Sequence, residues 1–388
     1  MKLHRLTVKN YRALKALTLD FENALLKVRP LTVVAGPNGS GKTSILFAIA
    51  QALRGPMGYR TDDVPDPTEF DIRAGDEDHE LRAEPAAAEV VLEIEFDADE
   101  QEAIREVFAF TRELKAPDPK TLPQLLDGRV RAVWGYPPER RPDGTFKPTW
   151  QFRSTDPPLA WRWFMGRQLA VRGWRQRKLP DRSLLDRIGG LHLFPQDRHL
   201  RSRVTGEGRR RDRTETDTDD VFETTAFETA ARSTERCVAD ILAYVATYSR
   251  TTPGLSERED WDKRIRDAFA KICGPKEYLG YLYERNDPIG APYLKDGSSR
   301  YPLAVASSGE QVILEYLTRL TYPSPLNRSL ILIDEPEIHL HPRWVRQLYR
   351  ALPQMGENNQ FVLTTHSREL RELAAEDGVL VDLGDLEG

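Results

Sequence analysis

The chain has 388 residues, enough for roughly two or three domain-sized units with a sizeable core. A charged fraction of 30%, a mean hydropathy of −0.56 and the lack of any apolar run of about 18 residues argue against a membrane-spanning protein. The chain starts without a signal-peptide apolar core, and Cys237 and Cys273 have neither CxxC nor metal-ligand spacing, so we expect a reduced, cytoplasmic protein without a membrane role.

The net charge of −5 conceals two stretches of opposite sign. Residues 61–106 contain 18 acidic and 3 basic residues, whereas residues 129–213 contain 21 basic and 8 acidic residues. Five of the seven tryptophans lie in the basic stretch: Trp134, Trp150, Trp161, Trp163 and Trp174. Basic and aromatic side chains together suit a DNA or RNA surface, but they suit a protein-partner surface equally well. They also occur as a solvated face over a Trp-rich core, so three interpretations stay open.

The chain begins with a strand pair and a third strand. Partial or clear alternation of apolar residues predicts strands over 2–9 and 15–21, around the tight segment Asn10-Tyr11-Arg12. The apolar run 31–35 predicts the third strand.

A glycine-rich loop follows that third strand. The sequence Gly36-Pro37-Asn38-Gly39-Ser40-Gly41-Lys42-Thr43 fits G-x-x-x-x-G-K-[ST], and a helical run from Ser44 to about Leu53 comes next. Glycines let backbone N–H groups turn toward a β-phosphate, Lys42 adds a positive charge, and Thr43 offers a hydroxyl to Mg²⁺. The loop therefore predicts binding of a nucleoside triphosphate through Gly36, Pro37, Asn38, Gly39, Ser40, Gly41, Lys42, Thr43 and Ser44.

The middle of the chain gives weaker signals. Alternation predicts a half-buried strand over 90–96, and helical spacing predicts a helix over 98–110. Nine prolines between 115 and 160 argue against long helices, so 111–185 is treated as an insert of undetermined fold. A further short strand is predicted at 191–194.

The region between this strand and the last lobe is predicted to be mainly helical. The charged run 206–220 in this region is expected to form a mobile loop, as is the acidic segment 59–85 nearer the start of the chain. Amphipathic helices are predicted over about 224–249 and 257–273, and Asp296-Gly297 is typical of a hairpin turn.

Two acidic residues end a short apolar run, Leu330-Ile331-Leu332-Ile333-Asp334-Glu335. Such a run predicts a buried parallel strand, and ligands of parallel sheets collect at the carboxyl ends of the strands. Asp334 is therefore a candidate Mg²⁺ ligand beside Thr43, and Glu335 is a candidate general base.

Two further motifs point to the same chemistry. The apolar run 361–365 predicts another buried strand, and His366 behind it is placed to contact a γ-phosphate or the attacking water. Ser308, in Ser307-Ser308-Gly309-Glu310-Gln311, is predicted to cap a helix whose free N–H groups bind an anion. Because the chain already has a phosphate loop, a second anion-binding helix start suggests a site shared between two copies.

The order of these motifs resembles the ATP-binding-cassette head, and more narrowly the SMC/RecF/OLD-like soluble ATPases. Asn10-Tyr11-Arg12 is similar to the Asn-Phe-Arg near the start of those proteins. The segment Glu335-Pro336-Glu337-Ile338-His339-Leu340-His341-Pro342 resembles the defence-associated OLD-like branch in particular. The resemblance covers roughly residues 1–60 and 300–388, and the middle only loosely.

This resemblance implies an α/β P-loop NTPase head with an antiparallel β-subdomain, a helical subdomain and an inserted module, without a long coiled coil. The corresponding units are an N-terminal ATPase lobe at 1–110, the basic insert at 111–185, a segment at 186–300 with the helical subdomain, and a lobe at 301–388.

The resemblance also implies a role for each motif residue. The implied catalytic residues are Glu335, which activates water, the switch histidine His366, and Lys42. The implied metal ligands are Thr43, Asp334 and Gln196, the last being the proposed glutamine-loop residue that also binds nucleotide. Ser308 and Gly309 would clasp the γ-phosphate of the partner subunit's ATP. One departure is His341, which stands where transporter-type heads carry an aspartate.

The function implied is Mg²⁺-dependent ATP hydrolysis by a homodimer, or a higher homo-oligomer, that closes around ATP. Because the chain stops at Gly388, soon after His366, we expect no nuclease domain and instead a separate effector, of the nuclease type found in bacterial anti-phage defence. The alternative is a RecF-like repair ATPase that binds DNA through 129–213. A transporter subunit is a third, weaker interpretation.

Overall fold

The computed structural model describes residues 1–54, 88–110, 121–136, 154–175, 181, 183–196, 238–252, 254–256, 260–283, 290–321 and 326–385. The predicted loops at 59–85 and 206–220 lie outside the described residues. Cys237 and the first part of the predicted helix 224–249 lie outside them as well.

The described residues form thirteen strands and nine α-helices. The strands are β1 Lys2–Tyr11, β2 Leu14–Asp20, β3 Leu31–Ala35, β4 Ala88–Glu95, β5 Arg129–Tyr136, β6 Ser154–Asp156, β7 Leu191–Phe194, β8 Glu277–Leu282, β9 Ala291–Asp296, β10 Ser299–Pro302, β11 Leu330–Asp334, β12 Gln360–Thr365 and β13 Leu380–Asp382. The helices are α1 Lys42–Arg54, α2 Ala98–Phe110, α3 Gly166–Arg175, α4 Ser183–Arg187, α5 Val238–Thr251, α6 Trp261–Cys273, α7 Ser308–Thr321, α8 Pro342–Ala351 and α9 Arg368–Glu376. Among these helices, none has both the length and the apolar character that crossing a bilayer requires.

A five-stranded parallel sheet forms the centre, in the order β13-β3-β12-β11-β7. β3, β7, β11 and β12 are buried along their whole length because both faces of the sheet are covered. Alternate residues of β11 point to opposite sides, so that Leu330 and Leu332 join one core while Ile331 and Ile333 join the other. The continuous apolar runs in the sequence are explained by this two-sided burial.

One face of the parallel sheet is covered by α1 and by an antiparallel sheet in the order β2-β1-β4-β5-β6. β5 and β6 come from the predicted insert 111–185, and β5 pairs with β4 along all eight of its residues. This part of the insert therefore continues the N-terminal sheet, and the predicted boundary after residue 110 does not coincide with an edge of that sheet. The reason is register, since the apolar residues of β5 continue the buried face of β4.

The other face carries the helical subdomain and a small sheet in the order β10-β9-β8. α5 and α6 pack against α7, and the predicted hairpin is confirmed, with Gly297 in its turn at φ +58°. Cys273 ends α6 as a buried free thiol, and burial raises the pKa of this group, as suits an inert core cysteine. The predicted α/β P-loop head, with its antiparallel and helical subdomains, is confirmed.

Gln360 joins the two large sheets. Its side chain accepts a hydrogen bond from Leu3 N at 2.7 Å and donates one to Leu3 O at 2.8 Å, and both residues are fully buried. The contact lies at the irregularity in β1 between Leu3 and Arg5, where the register with β4 shifts.

Replacing Gln360 with alanine is expected to lower the free energy of unfolding by about 2–4 kcal/mol, because two buried backbone groups lose their partners and a cavity is left. Urea unfolding followed by circular dichroism measures this change. The exposed Gln354, changed in the same way, is the matched control and should shift stability by less than about 0.5 kcal/mol. Equal stability of the two variants would show that Gln360 does not join the sheets.

Candidate functional site

Except for Ser308 and Gly309, the predicted site residues follow the carboxyl ends of four adjacent parallel strands. β3 leads into the phosphate loop, and β12 leads into His366. β11 ends at Asp334 and is followed by Glu335, while β7 is followed by Gln196. Since these strands are neighbours in one parallel sheet, residues up to 330 positions apart in the chain meet at one edge.

The phosphate loop has the backbone that its glycines predict. Gly39 and Gly41 have φ values of +84° and +89°, and a Cβ on Gly41 would lie 2.5 Å from the side chain of Leu14. Lys42 Nζ lies over the loop and donates hydrogen bonds to the carbonyl oxygens of Gly36, at 2.9 Å, and Pro37, at 2.8 Å. α1 begins at Lys42, so its first N–H groups face the loop without intrahelical partners.

Thr43 and Asp334 meet as the two motifs predict. Thr43 Oγ1 lies 3.1 and 3.0 Å from the two carboxylate oxygens of Asp334. Thr364, on the neighbouring strand, also donates a hydrogen bond to Asp334. The Asp334 side chain is buried, so these hydroxyls fix an otherwise poorly solvated carboxylate.

Glu335 is held between two other predicted residues. Gln196 Nε2 donates to Glu335 Oε2 at 2.8 Å, and His366 Nδ1 lies 3.1 Å from Glu335 Oε1. Glu335 adopts φ +47°, a backbone conformation that is uncommon for a residue with a side chain, and its N–H is within 3.2 Å of Thr364 Oγ1. The contacts with Gln196 and His366 hold the Glu335 carboxylate at the edge of the sheet, where a general base would act.

The start of α7 differs from its prediction by one residue. Ser307, rather than Ser308, caps the helix, because Ser307 N and Oγ each lie 2.7 Å from Glu310 Oε2 in a capping box. Ser308 is the first helical residue and is exposed, and Gly309 is buried beneath the loop after β11. A Cβ on Gly309 would lie 2.7 Å from His339 O, so this close approach requires glycine.

Glu310 organises the support for this helix start. Glu310 Oε1 accepts hydrogen bonds from Lys276 Nζ at 2.8 Å and from Tyr301 OH at 2.5 Å. Burial alone would raise the pKa of Glu310, but hydrogen bonds from Lys276, Tyr301 and Ser307 outweigh it and lower that pKa. Burial, together with the hydrogen bond to the same carboxylate, raises the pKa of Tyr301 to about 12. Both carboxylate oxygens of Glu310 therefore accept hydrogen bonds at the start of this helix.

Ser308 and Gly309 line a cleft of about 620 Å³, together with Cys273, Gly274, Pro275, Lys276, Asp296, Ser307, His339, His341, Arg343 and Trp344. These lining residues include none of the phosphate loop. His341, the departure from transporter-type heads, caps α8 by accepting a hydrogen bond from Arg343 N at 3.2 Å.

The site fits a Mg–nucleotide better than a metal held by the protein alone. Within the described ranges, no group of three or more His, Cys, Asp or Glu side chains is arranged to hold a metal ion. Thr43 and Asp334 offer one hydroxyl and one carboxylate, which matches Mg²⁺ that takes its other ligands from phosphate and water. Ser40 Oγ is buried in the loop and has no hydrogen-bond partner among the described residues, as suits a group that serves a ligand.

Sequence reasoning missed two residues of this site. Thr364 bonds both Asp334 and the N–H of Glu335, and Glu337 accepts hydrogen bonds from the residues around His366. The available signals were the Thr-Thr doublet that ends β12 and the second glutamate of Glu335-Pro336-Glu337. Neither signal assigns a role until the two strands are placed side by side.

In the described part of 129–213, several basic and aromatic residues make contacts within the fold. Arg129 pairs with Glu22 at 3.5 Å, and Arg187 contacts three acidic side chains of α2. Trp134 and Trp163 are buried in the core. For these residues the core interpretation applies, while Trp150 and 197–213 lie outside the described residues.

A family model described as "AAA domain, putative AbiEii toxin, Type IV TA system" matches residues 31–372, well over half of the chain. Among the curated proteins that match, two retron ATPases match short segments of the chain. Retron Ec83 probable ATPase from Escherichia coli is 36% identical over 74 residues, which are 16% of this chain and 14% of that protein. Retron Vc95 probable ATPase from Vibrio cholerae serotype O1 biovar El Tor is 44% identical over 45 residues, 11% of this chain and 9% of that protein. The chain thus spans a small part of the length of either relative.

The solved structures that match this chain include heads of SMC proteins. SmcHead bound to the C-winged helix domain of ScpA is 14% identical with a TM-score of 0.48, covering 95% of this chain and 91% of that one. The SMC head domain from Thermotoga maritima is 14% identical with a TM-score of 0.37, covering 96% and 92%.

Proposed function

Because the chain belongs to the AAA domain family described as a putative AbiEii toxin of a type IV toxin–antitoxin system, we propose that it is an ATPase that binds ATP with Mg²⁺ and hydrolyses it. The observation that carries this proposal is the position of Glu335. This carboxylate lies between Gln196 and His366, one residue after the Asp334 that contacts Thr43. Nucleotide binding and a general base are thereby supported at the same edge of the sheet.

Each residue has a task that its position supports. Lys42 and the loop N–H groups would bind phosphate oxygens, and Thr43 and Asp334 would hold Mg²⁺. Gln196, which contacts Glu335, would be a further ligand. Bound Mg²⁺ would supply positive charge that offsets the negative charge of the phosphates. Glu335 accepts a proton from the attacking water, and His366 holds the Glu335 carboxylate in place or contacts the γ-phosphate.

We further propose that two copies close around two ATP molecules. Ser308 and Gly309 begin a 14-residue helix, face an open cleft, and line it without any residue of their own phosphate loop. A helix start with an exposed serine suits a γ-phosphate bound to the partner copy. The catalytic unit would then be a pair of chains.

The dimer proposal predicts a charge-sensitive interface. Glu335→Gln should hydrolyse ATP slowly because it lacks the proposed general base. With Mg-ATP, this variant should form particles of twice the 44.3 kDa chain mass. Adding Ser308→Glu should weaken this dimer by at least about 10-fold, because a carboxylate would face the triphosphate. Light scattering after size-exclusion chromatography measures the mass, and Ser299→Glu on the exposed hairpin is the control. A Ser308→Glu protein that dimerises like the control would overturn the assignment of Ser308.

The biological role we propose is control of a separate effector protein in bacterial anti-phage defence. Support comes from the family description and from the retron ATPases that match part of the chain. Co-purification of the adjacent gene's product, dependent on ATP, tests this role. DNA affinity that falls steeply with salt, and weakens when Arg209, Arg210 and Arg211 are neutralised, would instead favour the DNA-repair interpretation.

A further inference from the structure

Glu337 holds the segment that carries His366. Its Oε1 atom accepts hydrogen bonds from Thr365 Oγ1 at 2.5 Å, His366 N at 3.1 Å and Ser367 N at 3.2 Å. These donors belong to three consecutive residues, so one carboxylate oxygen fixes the whole turn between β12 and α9. Ser367 then caps α9, which extends the ordered segment into that helix.

His366 depends on this support because its ring is not enclosed. The His366 side chain is 48% exposed, whereas those of Glu335 and Glu337 are each 9% exposed. Nδ1 of the ring lies 3.1 Å from Glu335 Oε1 and 3.6 Å from Glu337 Oε1. Because about half of the ring is exposed, packing restrains it only in part, and the position of the backbone beneath it contributes to its distance from Glu335.

The two oxygens of Glu337 differ in their surroundings. Oε1 accepts the three hydrogen bonds, but Oε2 is buried and has no hydrogen-bond partner in the described part of the chain. Hydrogen bonds to an ionised carboxylate are roughly twice as strong as neutral ones, and a buried unbonded oxygen is unfavourable. Among the described residues, the hydrogen bonds of Glu337 therefore all go to residues 365–367.

From this geometry we propose that Glu337 is a positioning residue for ATP hydrolysis, which fastens 365–367 to the loop after β11 and keeps His366 within reach of Glu335. The inference rests on the proposed ATPase function. Glu337 does not touch the reacting atoms in this role. It acts through His366, and that dependence separates it from a residue that only stabilises the fold.

Steady-state ATP hydrolysis by the full chain tests the inference. Glu337→Ala is expected to lower kcat about 10- to 100-fold and to change KM for ATP by less than about 3-fold, because the phosphate loop is untouched. Glu337→Gln should recover part of kcat, since its amide oxygen has the same reach and its NH₂ group can take the place of the unbonded Oε2. Glu376→Ala, at the exposed end of α9, should leave kcat unchanged.

A double-mutant cycle gives the decisive readout. In a His366→Ala background, Glu337→Ala should lower kcat by less than about 2-fold further, because the residue through which it acts is gone. Full additivity of the two losses, or an unchanged kcat in Glu337→Ala, would overturn the inference. If Glu337→Ala does not fold, as judged by circular dichroism, the same cycle is run with Glu337→Gln. A parent protein without ATP hydrolysis would refute the proposed function instead, so the two failures are distinct.

Discussion

Replacing Glu335 with glutamine is expected to lower ATP turnover by about 10²- to 10⁴-fold, the range that general-base catalysis contributes, while ATP still binds. Glu335 is the one acidic side chain that contacts both Gln196 and His366 among the described residues. An amide has the same shape but cannot take a proton from water, so the chemical step is removed and the phosphate loop is left intact.

The fold should survive the Glu335→Gln change. The amide oxygen can still accept one of the two side-chain contacts, and the bonds from Glu335 N to Thr364 are made by the backbone. Release of phosphate measures turnover, and isothermal titration calorimetry measures ATP affinity. Glu376→Gln, an exposed glutamate at the end of α9, is the matched control. Turnover at the parent rate in Glu335→Gln would show that the assigned mechanism is wrong.

The parallel sheet and the residues at its edge could be predicted because they depend on local sequence. Runs such as 31–35 and 330–334 are apolar throughout, which is what burial on both faces requires. Each run is followed directly by candidate site residues. Because parallel sheets bind ligands at the carboxyl ends of their strands, the sequence alone predicts that Thr43 and Asp334 lie close together.

The residues that were missed depend on contacts between distant segments. Glu337 has its role because 365–367 lies against it, and β5 joins β4 because their registers match across 33 or more intervening residues. Nothing in either segment alone specifies these pairings. The cap of α7 is a different case, because the spacing Ser307-x-x-Glu310 is itself typical of a capping box. The prediction based on the Ser308-Gly309 pair puts the cap one residue too late.

The half-exposed His366 shows that the arrangement of a site depends on more than its motifs. A histidine after a buried strand is predictable, but its orientation toward Glu335 is set by Glu337 and by the positive φ of Glu335. This part of the site therefore consists of two loops in contact, one after β11 and one after β12. The sequence motifs identify both loops, and the hydrogen bonds between them determine how the two carboxylates and the imidazole are arranged.

Replacing Lys42 with alanine is expected to weaken ATP binding by about 10- to 150-fold, because a hydrogen bond to a charged group contributes about 1.5–3 kcal/mol. Lys42 is the first residue of α1, and its ammonium is held over the loop by the carbonyl oxygens of Gly36 and Pro37. Its charge is thus placed where the β- and γ-phosphates of a bound nucleotide would lie.

Most of the loop should remain folded in Lys42→Ala, since the conformations of Gly39 and Gly41 and the helix behind them do not require the ammonium. Calorimetric titration with Mg-ATP measures the affinity, and Lys9→Ala removes an exposed lysine paired with Glu89 as the control. The control should bind ATP within about 2-fold of the parent, because an exposed ion pair contributes little. If Lys42→Ala binds as tightly as that control, the Lys42 ammonium does not contact the phosphates, and the role assigned to it is wrong.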